Sequence, residues 1–142
     1  MSYSLVVLDA PTAADRRDIV APLDAYNLAQ AGPGGWLPSA IMIRDEETGR
    51  NVGGLWGWIA YDWLHIELIA VPEDARGQGH GRTLMQMAER MARERGCVGI
   101  DLDTFEFQAR GFYEKLGFEV FGVLDDHPKG QKRFFMKKRL DA

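Results

Sequence analysis

Arg76-Gly77-Gln78-Gly79-His80-Gly81 follows the apolar run Ile66–Val71 and opens the amphipathic run Arg82–Glu94. The order reads as strand, glycine turn, helix. Glycine at every second position clears side chains away from a row of backbone N–H groups. The helix that follows adds its own unpaired N–H groups and the positive end of its dipole. Together these features make an anion site, suited to a phosphate or pyrophosphate. A ligand-free αβ connection would also use glycine here, so the flanking sequence has to decide.

The spacing excludes two common phosphate loops. A dinucleotide fingerprint needs G-x-G-x-x-G, and this chain has G-x-G-x-G. A P-loop needs G-x-x-x-x-G-K-[ST], which Gly81-Arg82-Thr83 only approaches. The pattern that fits is [QR]-x-x-G-x-[GA], with Arg76, Gly79 and Gly81 at its fixed places. Upstream stands Ile69-Ala70-Val71-Pro72-Glu73, and downstream Phe112-Tyr113-Glu114-Lys115-Leu116-Gly117-Phe118-Glu119. In these stretches, taken in order, the chain resembles the GNAT superfamily of acyl-CoA N-acyltransferases.

The resemblance covers nearly the whole chain and implies an α/β GNAT fold. That fold has a mixed, mostly antiparallel sheet of about seven strands, with a splay between the two central parallel strands. About four helices flank it, and residues 1–142 form a single domain. The implied cosubstrate is acetyl-CoA, with no metal. Its pyrophosphate would lie on Arg76, Gly77, Gln78, Gly79, His80, Gly81 and Arg82, and its pantetheine arm along Ile69 and Val71. The implied reaction is acetyl transfer to a primary amine of a small acceptor by direct attack. A non-catalytic acyl-CoA-binding or sensor domain is the alternative. It would keep Arg76, Gly79 and Gly81 without needing Glu67 and Tyr113.

Glu67 is the candidate general base. Strand alternation puts His65, Glu67, Ile69 and Val71 on one face and Ile66, Leu68 and Ala70 on the other. A glutamate buried in an apolar strand costs several kcal/mol unless solvated or paired. Its position matches the glutamate base of many GNAT members; an ion pair with a basic residue of the first helix is the structural alternative. Tyr113 matches the tyrosine of the second signature and is the candidate acid toward the CoA thiolate. Ala109, Phe112, Tyr113 and Leu116 share a helical face, so a core tyrosine with its hydroxyl at the rim fits equally well. One departure from the family stands at Glu106, where many members carry a cofactor-binding asparagine. Gln108 or a backbone group is placed to replace that contact, and weaker CoA binding is expected.

The chain has 142 residues, 46% of them hydrophobic and 11% aromatic, a composition suited to a globular core. No apolar run reaches the ~20 residues of a membrane span. No signal peptide is evident at Met1–Asp9, and the lone Cys97 points to a reducing, cytoplasmic setting. Cys97 reads as a buried small hydrophobe. A net charge of −4 gives no support to nucleic-acid binding. His65, His80 and His127 lack metal-ligand spacing. The expected partner is a small-molecule amine acceptor, without nucleic acid or membrane; a homodimer is compatible with the sequence.

Hydrophobic periodicity predicts a first strand at Leu5–Leu8, then a helix over Ala13–Ala31 capped by Thr12 and broken by Gly32. Strands follow at Ala40–Arg44, Val52–Ala60 and Trp63–Val71. Helix Arg82–Glu94 turns Leu84, Ala88, Met91 and Ala92 to one side. The remaining elements are strand Val98–Thr104, helix Phe107–Leu116, and strands Phe118–Leu124 and Lys132–Lys138. Lys129–Arg139 reads as a charged edge strand. Asp101 and Asp103 share a strand face, either lining an acceptor cleft or pairing with helix lysines and arginines. Trp56 and Trp58 share another face, where core packing is expected. Tyr26, Asn27, Gly32–Trp36 and the loop at His127 fall where GNAT enzymes build acceptor specificity.

Overall fold

Thr12 starts the first helix as the sequence predicts. Its hydroxyl accepts from the Asp15 N–H, and the Asp15 carboxylate accepts in return from the Thr12 N–H at 2.8 Å. This reciprocal capping box fixes helix α1 at Ala13–Ala31, and Gly32, at φ 75°, ends it. The computed structural model describes residues 1–141. The chain divides into two compact units, Met1–Gly34 and Gly35–Ala142. The first consists of an irregular N-terminal stretch followed by α1. Leu5–Leu8 is not a strand, and its four residues are exposed. An apolar tetrad becomes a strand only when it pairs with another strand, which composition does not decide.

The second unit is a six-stranded sheet in the order β1-β2-β3-β4-β6-β5. Its strands are β1 (Leu37–Arg44), β2 (Asn51–Ala60), β3 (Trp63–Ala70), β4 (Gly99–Phe105), β5 (Glu119–Asp125) and β6 (Lys132–Arg139). Helix α2 (His80–Glu94) connects β3 to β4, and the short α3 (Arg110–Lys115) follows β4. The β3–β4 pair is parallel and all the others are antiparallel. Parallel neighbours require a crossover, and α2 supplies it. The sheet is therefore mixed as expected, with six strands rather than seven. The helices are three α-helices and a 3₁₀ turn at Glu73–Ala75 rather than four.

The core lies under one face of this sheet. Leu84, Met85, Ala88 and Ala92 of α2 are buried there with Leu64, Ile66, Ile100, Leu102 and Met136. Leu64 and Met136 are fully enclosed, and each side chain of this size contributes about 1.5–3 kcal/mol on burial. Cys97 is buried, as its flanking apolar strand suggests. Trp56 and Trp58 are not core residues. Trp56 is exposed, and Trp58 stacks at 6.1 Å from Trp36 and 4.7 Å from His65.

Strand β6 is interior, between β4 and β5, not an edge. Its buried Phe134 and Met136 alternate with half-buried residues of the opposite face, while the basic residues at its two ends, Lys132 and Arg139, remain exposed. Four of its basic residues pair with carboxylates: Lys132 with Asp125, Arg133 with Asp103, Lys138 with Glu89, and Arg139 with Asp141.

Candidate active site

The glycine loop leaves α2 open at its start. Arg76 Nε donates to the Val71 carbonyl at 3.1 Å and folds the loop back onto the end of β3. Gly77 and Gly79 have φ of 78° and 83°, a region where any side chain is strained. Gly79 is the N-cap and has no side chain to cap with, and no acidic residue occupies the first turn. The Thr83 N–H, bonded to the Gly79 carbonyl at 3.0 Å, is the first with an intrahelical acceptor. The N–H groups of His80, Gly81 and Arg82 are left over. In α1 the same groups meet a Thr–Asp box. The contrast marks α2 as the helix whose dipole and donors remain available to an anion.

The sheet opens beside this loop. β3 and β4 are paired only from Trp63↔Gly99 to Ile66↔Leu102, although β3 runs on to Ala70 and β4 to Phe105. A bulge sits at the parting. β2 pairs Gly57 with Ile66 and Trp56 with Leu68, so Glu67 has no partner on either side. The extra residue shifts the alternation by one. Leu64 and Ile66 are in the core before it; Ile69 and Val71 pack against the core after it, while Leu68 and Ala70 are exposed. Uninterrupted alternation, with His65, Glu67, Ile69 and Val71 on one face, is therefore wrong. Glu67 is also exposed rather than buried, so it pays no burial cost and needs no ion-pair partner.

A cleft of about 690 Å³ fills the splay. Glu67, Ile69, Val71, Arg76, Gly81, Gln108 and Tyr113, all expected from the sequence, line it. Gly77, Gln78, Gly79, His80 and Arg82 do not line it; they form the glycine loop and the first turn of α2. Sequence reasoning missed Leu68, Ala70, Thr104, Phe105, Ala109 and Phe112 of the lining, and left Asp103 undecided. Their signal was position alone: they lie beyond the last paired residues of β3 and β4, or next to Tyr113.

Tyr113 is buried and packs edge-on against Phe112 at 5.1 Å and Phe118 at 6.0 Å. Burial first, and the nearby Asp103 carboxylate second, push its phenol up to about 12. It is a neutral donor throughout the physiological range. The Gln108 side-chain oxygen accepts from the Phe105 N–H at 2.8 Å, and Thr104 Oγ1 lies 3.4 Å from it. That anchoring leaves the Gln108 amide nitrogen for the cleft. Glu106 is engaged elsewhere, accepting from the Lys132 N–H at 2.8 Å, and is absent from the cleft lining.

The two aspartates pair with neighbouring strands, not with helix lysines or arginines. Asp103 accepts from Arg133 Nε of β6 at 2.8 Å. Asp101 lies 3.0 Å from His65 Nδ1 of β3. That hydrogen bond is the main reason the His65 imidazolium is favoured, its pKa raised despite partial burial. Among the described residues no group of three or more His, Cys, Asp or Glu side chains could hold a metal ion. Among the described residues no helix is long and apolar enough to cross a membrane.

A phosphate-ready helix start beside a splayed pair of parallel strands defines an acyl-CoA-binding architecture. The model of the acetyltransferase (GNAT) family matches residues 11–118. The chain belongs to this family, whose members use acetyl-CoA. It is 39% identical over 137 residues to acetyltransferase Atu2258 of Agrobacterium fabrum, covering 96% of this chain and 99% of that protein. It is 40% identical over 95 residues to the blasticidin-S acetyltransferase of Streptomyces morookaense, covering 66% of this chain and 70% of that one. A crystal structure of an Agrobacterium tumefaciens acetyltransferase superimposes with a TM-score of 0.92 at 38% identity, covering 97% of this chain and all of the other.

Proposed function

We propose that the chain transfers an acetyl group from acetyl-CoA to a primary amine of a small acceptor, by direct attack of the amine on the thioester. The observation that carries this reading is the meeting of Glu67 and Tyr113 in one cleft, with the open N–H row of α2 beside it. Acetyl-CoA, when bound, supplies the activated acetyl thioester. His80, Gly81 and Arg82 hold its pyrophosphate through their N–H groups, with the Arg76 and Arg82 side chains nearby. Gln108 contributes its amide in place of the usual asparagine. Glu67 takes the proton that the amine nitrogen must lose as the new N–C bond forms. Tyr113 donates a hydrogen bond to the sulfur as the C–S bond breaks, stabilising the departing thiolate, which then takes its proton from solvent. Neither Cys97 nor Ser39, both buried, lines the cleft, so among the described lining residues no cysteine or serine is placed to carry the acyl group.

A panel of primary amines with thiol release as readout tests the reading. Antibiotic amines belong at its head, given the relative named for blasticidin-S. Thiol release that no amine raises above the hydrolytic background would sink it.

Two substitutions sharpen the assignment. Gly79→Val should weaken coenzyme A binding at least about tenfold, because valine disfavours a left-handed φ and its side chain would stand at the rim of the N–H row. Calorimetry on the folded variant showing wild-type affinity would remove the pyrophosphate assignment. Tyr113→Phe keeps the ring packing but removes the hydroxyl. It should lower kcat roughly ten- to a hundredfold, with little change in the KM for acetyl-CoA. Because burial holds the wild-type phenol near 12, kcat should show no alkaline fall from its ionisation below pH ~11. Full kcat in Tyr113→Phe with chemistry rate-limiting would make Tyr113 a packing aromatic.

A further inference from the structure

Lys137 is the exception among the five basic residues of β6. Lys132, Arg133, Lys138 and Arg139 each meet a carboxylate. Lys137 stands opposite Asp101 of β4 and Glu119 of β5 in register. Among the described residues its ammonium nevertheless makes no ion pair; it lies 5.6 Å from the centre of the Phe121 ring. Asp101, the nearest carboxylate across β4, is already engaged by His65.

Lys137 lines a second cavity, of about 390 Å³, with Trp63, Asp101 and Phe121. Two aromatic rings form its walls. Trp63 is a fixed wall: its indole sits on Gly99, where a Cβ would lie only 2.6 Å from the ring. The cavity shares no lining residue with the cleft. Asp101 lines the cavity and Asp103 the cleft, two residues apart on β4. These two lining residues are about 7 Å apart along the strand, so the linings of the two spaces adjoin on β4. Of the two charged side chains lining this cavity, Asp101 has an ion-pair partner among the described residues and Lys137 has none.

We propose that this cavity holds the far end of the acceptor, an anionic group (carboxylate or phosphate) paired with Lys137 between Trp63 and Phe121. The acceptor amine then lies in the splay beside Glu67. The proposal deepens the acetyl-transfer reading above and rests on it. The ligand is an amine whose other end carries negative charge at a distance of several bonds, rather than a polyamine. Carboxylate and phosphate share the pairing chemistry, because both are oxygen acceptors for an ammonium donor.

The test uses four probes with one six-carbon amine chain and different ends: n-hexylamine, 1,6-diaminohexane, 6-aminohexanoate and 6-aminohexyl phosphate. Each is measured by acetyl-CoA-dependent thiol release. Each is also titrated, with coenzyme A present, against the indole N–H signal of Trp63 assigned through Trp63→Phe. The anionic probes should exceed hexylamine in kcat/KM by about fivefold or more and shift the Trp63 signal, with the diamine last. Which anion leads identifies the end group. Lys137→Met should collapse the ratio of anionic probe to hexylamine toward one, Lys137→Glu should invert it, and Lys137→Arg should restore it. The proposal is overturned if the diamine is preferred, if the ratio survives in Lys137→Met, or if none of the four probes shifts the Trp63 signal at tens of millimolar. An anion-selective Trp63 shift without thiol release from any amine would instead sink the transfer reading and leave the anion site standing.

Discussion

Gly57→Ala is expected to cost about 3 kcal/mol or more, the upper end of what overpacking does. Gly57 is buried at the bulge, and a Cβ there would lie 2.1 Å from the His65 carbonyl oxygen and 3.2 Å from the Ile66 Cα. These are backbone atoms of β3, so no side chain can swing aside. Either the β2–β3 ladder parts where Gly57 meets Ile66, or the bulge relaxes and Glu67 is aimed elsewhere. Denaturant unfolding measures the first outcome through the midpoint, with an unchanged slope if the native compactness survives. A loss under about 1 kcal/mol would show that the strands can spread at this point without penalty. The same variant should lose more kcat than a surface substitution of equal stability cost, because the methyl group acts on the residue next to the proposed base.

Glu67→Gln isolates that base from the scaffold. Glu67 is exposed and has no strand partner, so the amide should change stability by no more than about 0.5 kcal/mol. It cannot take a proton, and kcat/KM for the amine should fall about 10²-fold or more while coenzyme A affinity stays near wild type. The loss should shrink as pH approaches the ~10.4 of an alkyl ammonium, because the amine then arrives already neutral. A loss that is constant with pH, or no loss, would exclude proton abstraction by Glu67.

Local chemistry made much of this molecule legible in advance. The Thr12–Asp15 box and Gly32 set both ends of α1 where the sequence put them, since caps act over three or four residues. Arg76, Gly79 and Gly81 marked the open start of α2 because backbone conformation and missing side chains are properties of the loop itself. Tyr113 and Gln108 fell in the cleft for the same reason: their spacing from the end of β4 is short. What escaped was set by distant partners. Alternation along β3 cannot announce that β2 will skip Glu67, and that one skip inverts the faces of Ile69 and Val71. Asp101 and Asp103 found His65 and Arg133 only after strand order had placed β3 and β6 beside β4. The basic run in β6 looks like an edge until β5 folds outside it. Leu5–Leu8 has the composition of a strand, but composition alone does not supply the neighbouring strand that a ladder needs.

The four-residue seam between β3 and β4 has a mechanical meaning. The sheet is two three-stranded plates, β1-β2-β3 and β4-β6-β5, and antiparallel ladders make each plate stiff. Only the parallel pairs from Trp63↔Gly99 to Ile66↔Leu102 join them, with the core face of α2 as a strap underneath. The plates therefore resemble covers hinged along half a spine. A long ligand lying in the open half would contact both covers, and its binding energy would add to whatever holds the joint closed. Grip on the ligand and resistance to unfolding would then be governed by the same stretch of backbone.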